Sequence, residues 1–203
     1  MERHSQFAGF VLVGGASSRM GRDKALLPYS GGVLAEFVAR QVDAVAGPAV
    51  LVGPPERYPS LNRKVLPDLR PGNGPLAGIE AALTATKAKW SLIVACDMPR
   101  IAPALLRGML QQTESTAAEC IVPLSPAGEP EPLCCVWKRS CLPAVSLALD
   151  EGRRKTQSVF HDLFVEYWKP QGDYWFENLN TPADWMHHHR VVADESAGKT
   201  ETS

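Results

Sequence analysis

Apolar residues along this chain fall into short unbroken runs bounded by glycine, proline and charge, with stretches of helical spacing between them. Phe10-Val11-Leu12-Val13 is the first run. Its shortness and the turn residues after it predict a strand buried on both faces. Leu34, Phe37, Val38, Val42 and Val45 recur three and four residues apart, predicting a helix that Gly47-Pro48 ends. Ala49–Val52 reads as the second strand, and strand–helix–strand order predicts a parallel pair joined by a crossover. Val65-Leu66 follows as a short strand. Pro75 suits a first helical position, with Leu76, Ile79 and Leu83 inward. Trp90–Ala95 reads as the central strand, and Pro103–Leu110 as a helix burying Leu105, Leu106, Met109 and Leu110. Cys120–Pro123 and Leu133–Lys138 read as strands, Cys141–Glu151 as a helix stopping near Gly152, and Phe164–Lys169 as a last strand. A final helix starts at Thr181-Pro182. The pattern predicts an α/β fold: a single-domain, three-layer α/β/α, Rossmann-like arrangement around a mostly parallel sheet.

Composition narrows this picture. A chain of 203 residues is long enough to bury a large core in one domain. The formal net charge of −1 argues against a general nucleic-acid or membrane-surface binder. No apolar run approaches a membrane span, and the first residues, MERHSQ, lack a signal-peptide core. The five cysteines form no CxxC pair, which fits free thiols in a reducing cytoplasm. Cys134 and Cys135 are neighbours on a strand and so point to opposite faces. The division expected is one domain over residues 1–192, with a polar extension at 1–6 and a disordered tail at 193–203.

The candidate chemistry begins where the first strand ends. Gly14 and Gly15 let a ligand lie against bare backbone. Successive N–H groups in such a turn can hold phosphate oxygens. Arg19, Arg22 and Lys24 place cations within six positions, enough to neutralise a polyphosphate. The spacing is neither the P-loop nor the dinucleotide fingerprint. Asp97, at the end of the central strand and followed by Met98-Pro99, is placed to hold Mg²⁺ with water and substrate phosphates completing its shell. It could equally cap the turn that follows. Pro71–Gly78 offers a glycine-flanked helix start, with free N–H groups and a positive dipole end. Gly152-Arg153-Arg154-Lys155 reads either as a solvated helix terminus or as a site for an anionic acceptor. His187-His188-His189 splay around a helix axis and do not converge on a metal.

Gly14-Gly15-Ala16-Ser17-Ser18-Arg19-Met20-Gly21-Arg22-Asp23-Lys24-Ala25-Leu26-Leu27 resembles the signature loop of the molybdenum cofactor guanylyltransferases, within the wider nucleotidyltransferase group. Pro71–Ile79, Cys96-Asp97-Met98-Pro99, Glu131–Cys135 and Asn178–Pro182 are similar to further segments of that family. The resemblance runs from Phe10 to about Trp185 and implies a nucleotidyltransferase architecture. It implies GTP as donor, molybdenum–molybdopterin as acceptor and Mg²⁺ as cofactor. It assigns backbone contacts with base and phosphate to Leu12, Val13, Gly14 and Gly15. Arg19 and Lys24 take the triphosphate, Asp68 the nucleoside, and Asp97 the metal. Asn178 and Asn180 are candidates to face substrate. The expected partners also include molybdenum-insertion proteins and molybdoenzymes, with no nucleic acid and no membrane, the chain being a monomer or weak homo-oligomer in the cytoplasm. Val13 stands where the family has alanine, and extra bulk beside the base bears on base choice. A related transferase using CTP or another phosphorylated acceptor, and a non-catalytic nucleotide-binding delivery domain, are the alternatives. The intact Lys24 and Asp97 argue against the last.

Overall fold

The computed structural model describes residues 6–14, 23–171 and 176. Gly15, Arg19, Arg22, Asn178, Asn180, the Thr181-Pro182 helix start, the histidine run and the expected tail lie outside the described residues.

Seven strands form one sheet: β1 (Phe7–Leu12), β4 (Val50–Val52), β5 (Val65–Leu66), β6 (Trp90–Ala95), β7 (Cys120–Pro123), β8 (Cys134–Lys138) and β9 (Val165–Trp168). Their order across the sheet is β5-β4-β1-β6-β8-β7-β9. β8 runs antiparallel to both of its neighbours, and all other pairs are parallel. A two-residue pair, β2 (Pro28–Tyr29) and β3 (Gly32–Val33), stands apart as a hairpin. Ser30 and Gly31 turn it with φ of 47° and 75°, the positive values that tight two-residue hairpins require.

The period-2 alternation of strands divides the core in two. Val11, Leu92, Val94, Cys134 and Val136 face a layer built by α1 (Leu34–Ala46) and α3 (Pro103–Gln112). Phe10, Ile93, Cys135, Trp137 and Val122 face α2 (Pro75–Ala85) and α4 (Leu142–Asp150) on the other side. Strands buried on both faces need apolar residues at every position, which is why they read as unbroken runs. Cys134 and Cys135 do fall in opposite layers, and all five cysteines are free and buried. Among the described residues, no helix is long and apolar enough to cross a membrane.

Two expectations are corrected. β1 starts at Phe7 rather than Phe10, because Phe7, Ala8 and Gly9 pair with Trp90, Ser91 and Leu92 of β6. The buried stripe of α2 is not three residues wide. Every residue from Leu76 to Leu83 is buried, Glu80 included, because α2 lies between the sheet and α4. The sheet is mostly parallel, as expected, and β8 is its reversed strand, inserted between β6 and β7.

Gly9 shows how close the layers come. A Cβ added there would overlap Val42 Cγ1 and stand 3.4 Å from Ala46 Cβ, so α1 rests on bare β1 backbone. Gly9→Ala is expected to destabilise the protein by about 1–3 kcal/mol, the usual range for overpacking a filled core. Urea unfolding of the two proteins measures this.

Candidate active site

Parallel pairing brings three strand ends to one edge of the sheet. Leu12 stands in register with Val52 of β4 and with Ala95 of β6. The ladder runs one step further on both sides: Val13 N–H donates to Val52 O at 2.9 Å, and Cys96 N–H to Leu12 O at 3.0 Å. Gly14, Gly53, Asp68 and Asp97 all lie just beyond that edge.

A cavity of about 340 Å³ opens there. Leu12, Val13, Gly14, Lys24, Asp68 and Asp97 all line it, joined by Asp23, Gly72, Gly74, Gly78, Cys96 and Leu133. Glycine forms the floor out of necessity. A Cβ on Gly14 would stand 3.3 Å from Gly53 Cα, and one on Gly53 would stand 3.0 Å from Gly14 N. A side chain at Gly53 would press on Val13 and the Gly14 backbone, and one at Gly14 would need the Gly53 backbone to give by a few tenths of an ångström.

Lys24 and Asp97 are far apart in sequence yet meet in this cleft. Lys24 Nζ lies 3.4 Å from Asp97 Oδ2, with the two side chains 17% and 20% exposed. The other oxygen, Asp97 Oδ1, is buried and accepts no hydrogen bond from the described residues. A buried acceptor without a donor is unfavourable, by about 1–3 kcal/mol or more for a charged group, unless something else binds it. The charge and the open oxygen together suit a cation. Asp68 is half-buried on the opposing side. Burial alone pushes its carboxyl above the ordinary value, with no hydrogen bond or charge opposing. Its oxygens pack where side chains are missing, 3.5 Å and 3.4 Å from the Cβ positions of Gly14 and Gly78.

The bulk of Val13 does not act as expected. The side chain is 2% exposed and belongs to the core beneath α1. Its Cγ2 lies 2.9 Å from where a Cβ of residue 53 would stand, so Gly53 makes the room for it. The methyl groups are absorbed inside the protein rather than presented to a base.

The basic turn after α4 divides. Arg153 is committed: it pairs with Asp162 and Glu151 and donates to Ser158 O at 2.7 Å. Arg154 is exposed, and its backbone oxygen lies 3.0 Å from the Cβ position of Gly74 at the cavity wall.

Sequence reading missed Tyr58 and gave Asp23 no separate part. Asp23 caps the 3-10 turn Lys24–Leu26, accepting from Ala25 N–H at 3.0 Å. Tyr58 is 1% exposed, and its hydroxyl faces both the Val13 carbonyl and Asp23 Oδ2, at 2.5 Å and 2.9 Å. Burial first, and then Asp23, push the phenol far above its ordinary pKa, so it stays a donor. Tyr58 thus ties the residue before Gly14 to the residue before Lys24. A buried tyrosine needs a partner for its hydroxyl, but no spacing rule points forty-five residues back to Val13.

A mostly parallel α/β sheet with a glycine-floored cleft at its strand ends, lined by Lys24 and the carboxylates of Asp23, Asp68 and Asp97, defines the class: a nucleotide-binding transferase fold. Residues 9–166 match the model of the MobA-like NTP transferase domain. A Synechococcus elongatus protein named probable molybdenum cofactor guanylyltransferase is 34% identical over 187 residues, covering 89% of this chain and 96% of that one. A Pelotomaculum thermopropionicum protein of the same name is 34% identical over 199 residues, covering 94% and 95%. The crystal structure of molybdopterin-guanine dinucleotide biosynthesis protein A from Archaeoglobus fulgidus superposes with a TM-score of 0.80 at 25% identity, covering 92% and 99%. A CMP:2-keto-3-deoxy-manno-octonic acid synthetase, 12% identical with a TM-score of 0.73, shares the fold. The chain belongs to the MobA-like NTP transferase family.

Tyr58→Phe removes the one hydrogen shared by Val13 O and Asp23 Oδ2. It is expected to destabilise the protein by about 1–3 kcal/mol, the effect of leaving buried acceptors without their donor. Thermal or urea melts read this.

Proposed function

We propose that this protein transfers GMP from GTP to the terminal phosphate of molybdenum–molybdopterin, forming the guanine dinucleotide and releasing pyrophosphate. The observation that carries the reading is the meeting of Lys24, Asp97 and Asp68 in one cleft at the end of β1. The names of the relatives support the donor and the acceptor.

In this reading the nucleotide lies along the cleft floor. The acceptor's phosphate oxygen forms a bond to the α-phosphorus, and the bond from that phosphorus to the β-phosphate's bridging oxygen breaks. The nucleophile is already anionic, so the protein supplies no general base. It supplies position and charge neutralisation instead. Lys24 exchanges its contact with Asp97 Oδ2 for phosphate oxygens and offsets the charge gathering on the leaving pyrophosphate. Asp97, with its unpartnered Oδ1, would hold Mg²⁺. The cation, when bound, neutralises phosphate oxygens. Among the described residues no three His, Cys, Asp or Glu side chains converge as a metal cage. That suits an ion which keeps its waters and takes ligands from substrate.

Asp68 favours guanine over cytosine. An ionised carboxylate only accepts hydrogen bonds. Guanine presents N1–H and the N2 amino group side by side. Cytosine presents one amino group beside two acceptors, which the carboxylate would repel. Arg154, exposed beside the Gly74 wall, is the cation of the basic turn placed to meet an anionic acceptor. Arg153 is held by its own carboxylates.

Asp97→Asn should abolish GTP-dependent pyrophosphate release with molybdopterin while leaving the melting curve near that of the parent, and normal turnover would remove the metal assignment. Lys24→Ala should weaken GTP binding by roughly tenfold or more, the loss of a charge-assisted contact. GTP affinity should also fall on acidification. Asp68 binds guanine N–H groups as a carboxylate, and its folded-state pKa is raised. Affinity is therefore full above that value and is lost as pH falls through it, at a higher pH than an ordinary aspartate would give. In the empty protein the same raised value means that ionised Asp68 opposes folding, an effect relieved as pH falls. Asp68→Asn should lose the acid limb and most of the preference for GTP over CTP. Calorimetric titrations with both nucleotides across pH measure this, and an unchanged preference would remove the base assignment.

A further inference from the structure

The bend from Pro67 to Gly74, between β5 and α2, brings Asp68, Gly72 and Gly74 to the cleft. Among the described residues no donor holds the Asp68 carboxylate, so its position follows from the backbone that carries it. Arg70 is the residue that anchors that backbone. Its Nε lies 3.0 Å from Glu80 Oε2 on α2, and its Nη1 donates to Asp150 Oδ1 at the end of α4, at 2.5 Å. Its own carbonyl accepts from both the backbone N–H and the side-chain amide of Asn73, each at 3.2 Å. Glu80 is 4% exposed, and its other oxygen accepts from Ser146 Oγ on α4 at 2.7 Å.

Glu80 is the anomaly that gives the arrangement its meaning. It sits within a stretch otherwise made of leucine, alanine, glycine and isoleucine, all buried. An apolar residue there would pack α2 against α4 without burying a charge, and buried ion pairs often stabilise less than apolar replacements do. The Arg70–Glu80 contact is an ion pair in which Glu80 Oε2 makes no hydrogen bond to the described residues, so what it provides is a charge tether. A planar guanidinium can reach two carboxylates at once, which an ammonium on a flexible stem does less well.

We infer that Arg70 is a positioning residue for the nucleotide. Held by Glu80 and Asp150, it sets the Pro67–Gly74 bend so that Asp68 stands at the cleft wall, already oriented before a base arrives. The inference rests on the reading that Asp68 meets guanine.

Arg70→Met alone leaves Glu80 buried and unpaired and can fail to fold. The test therefore uses Arg70→Met with Glu80→Gln, which removes both charges together, and Asp150→Asn, which removes only the exposed anchor. GTP and CTP dissociation constants, melting temperature, and KM and kcat for GTP are measured for each. The double variant is expected to melt near the parent and to bind GTP about tenfold or more weakly, as a misplaced contact would. CTP binding and kcat at saturating GTP should change little. Arg70→Lys should fall between the parent and the double variant. Asp150→Asn should raise KM for GTP with the melting temperature unchanged. A purely structural Arg70 would instead lower melting temperature and leave the GTP-to-CTP ratio intact. Parental GTP affinity in a folded double variant, with Asp68→Asn still weak, overturns the inference alone. Should the double variant not fold, parental KM in Asp150→Asn overturns it. Parental GTP affinity in Asp68→Asn overturns the reading beneath it.

Discussion

The contact between Gly14 and Gly53 governs the architecture of this site. Two parallel strands end in register, and their backbones pass so closely that a Cβ on Gly53 would press into Val13 and Gly14 while one on Gly14 would stand 3.3 Å from Gly53 Cα. The closeness is a consequence of the ladder, because hydrogen bonds from Val13 to Val52 and from Gly53 to Leu66 carry the strand spacing past the last paired residues. A one-residue slip in this register would turn Phe10 and Val11 to the wrong layers, so the packing of α1 and α2 against opposite faces fixes it. The core therefore sets the floor of the cleft to within the tolerance of side-chain packing. Everything chemical is then hung on the rim of that floor.

The rim is held differently. Lys24, Asp68 and Asp97 leave the sheet on separate connections, and two polar residues outside the reacting region tie those connections down. Tyr58 does so with a neutral hydroxyl between Val13 and Asp23. Arg70 does so with a charge between Glu80 and Asp150. The difference follows from surroundings. Tyr58 lies within the core, where a neutral donor is far less costly to bury than an ion. Arg70 reaches the surface, where its guanidinium keeps some water and only Glu80 is dehydrated.

How much of this was readable beforehand depends on the range of the contact. The central strand Trp90–Ala95 and the strand Cys120–Pro123 were bounded as observed, because runs buried on both faces announce themselves locally. The inward residues of α3 were likewise those its spacing predicts. Leu12, Val13, Gly14, Lys24, Asp68 and Asp97 share a cleft because parallel topology collects strand ends, a rule that needs only element order. The reversal of β8, the depth of Glu80 and the reach of Tyr58 depend on which elements become neighbours. Periodicity along one segment cannot contain that information. Val13 is the instructive case: its identity was visible, but whether its methyl groups meet a ligand or Gly53 is decided by β4.

Floor and rim thus divide the consequences of change between them. A side chain added to the floor alters the space available to any ligand, whatever its chemistry, and strains the sheet while doing so. In the proposed reading, a change on the rim leaves the sheet intact and alters which ligand is preferred, because Lys24 and the rim carboxylates are the charged groups of the cleft. With Arg70 positioning Asp68 as inferred, the determinants of nucleotide preference in this chain extend from the rim itself to a group that steadies it from behind.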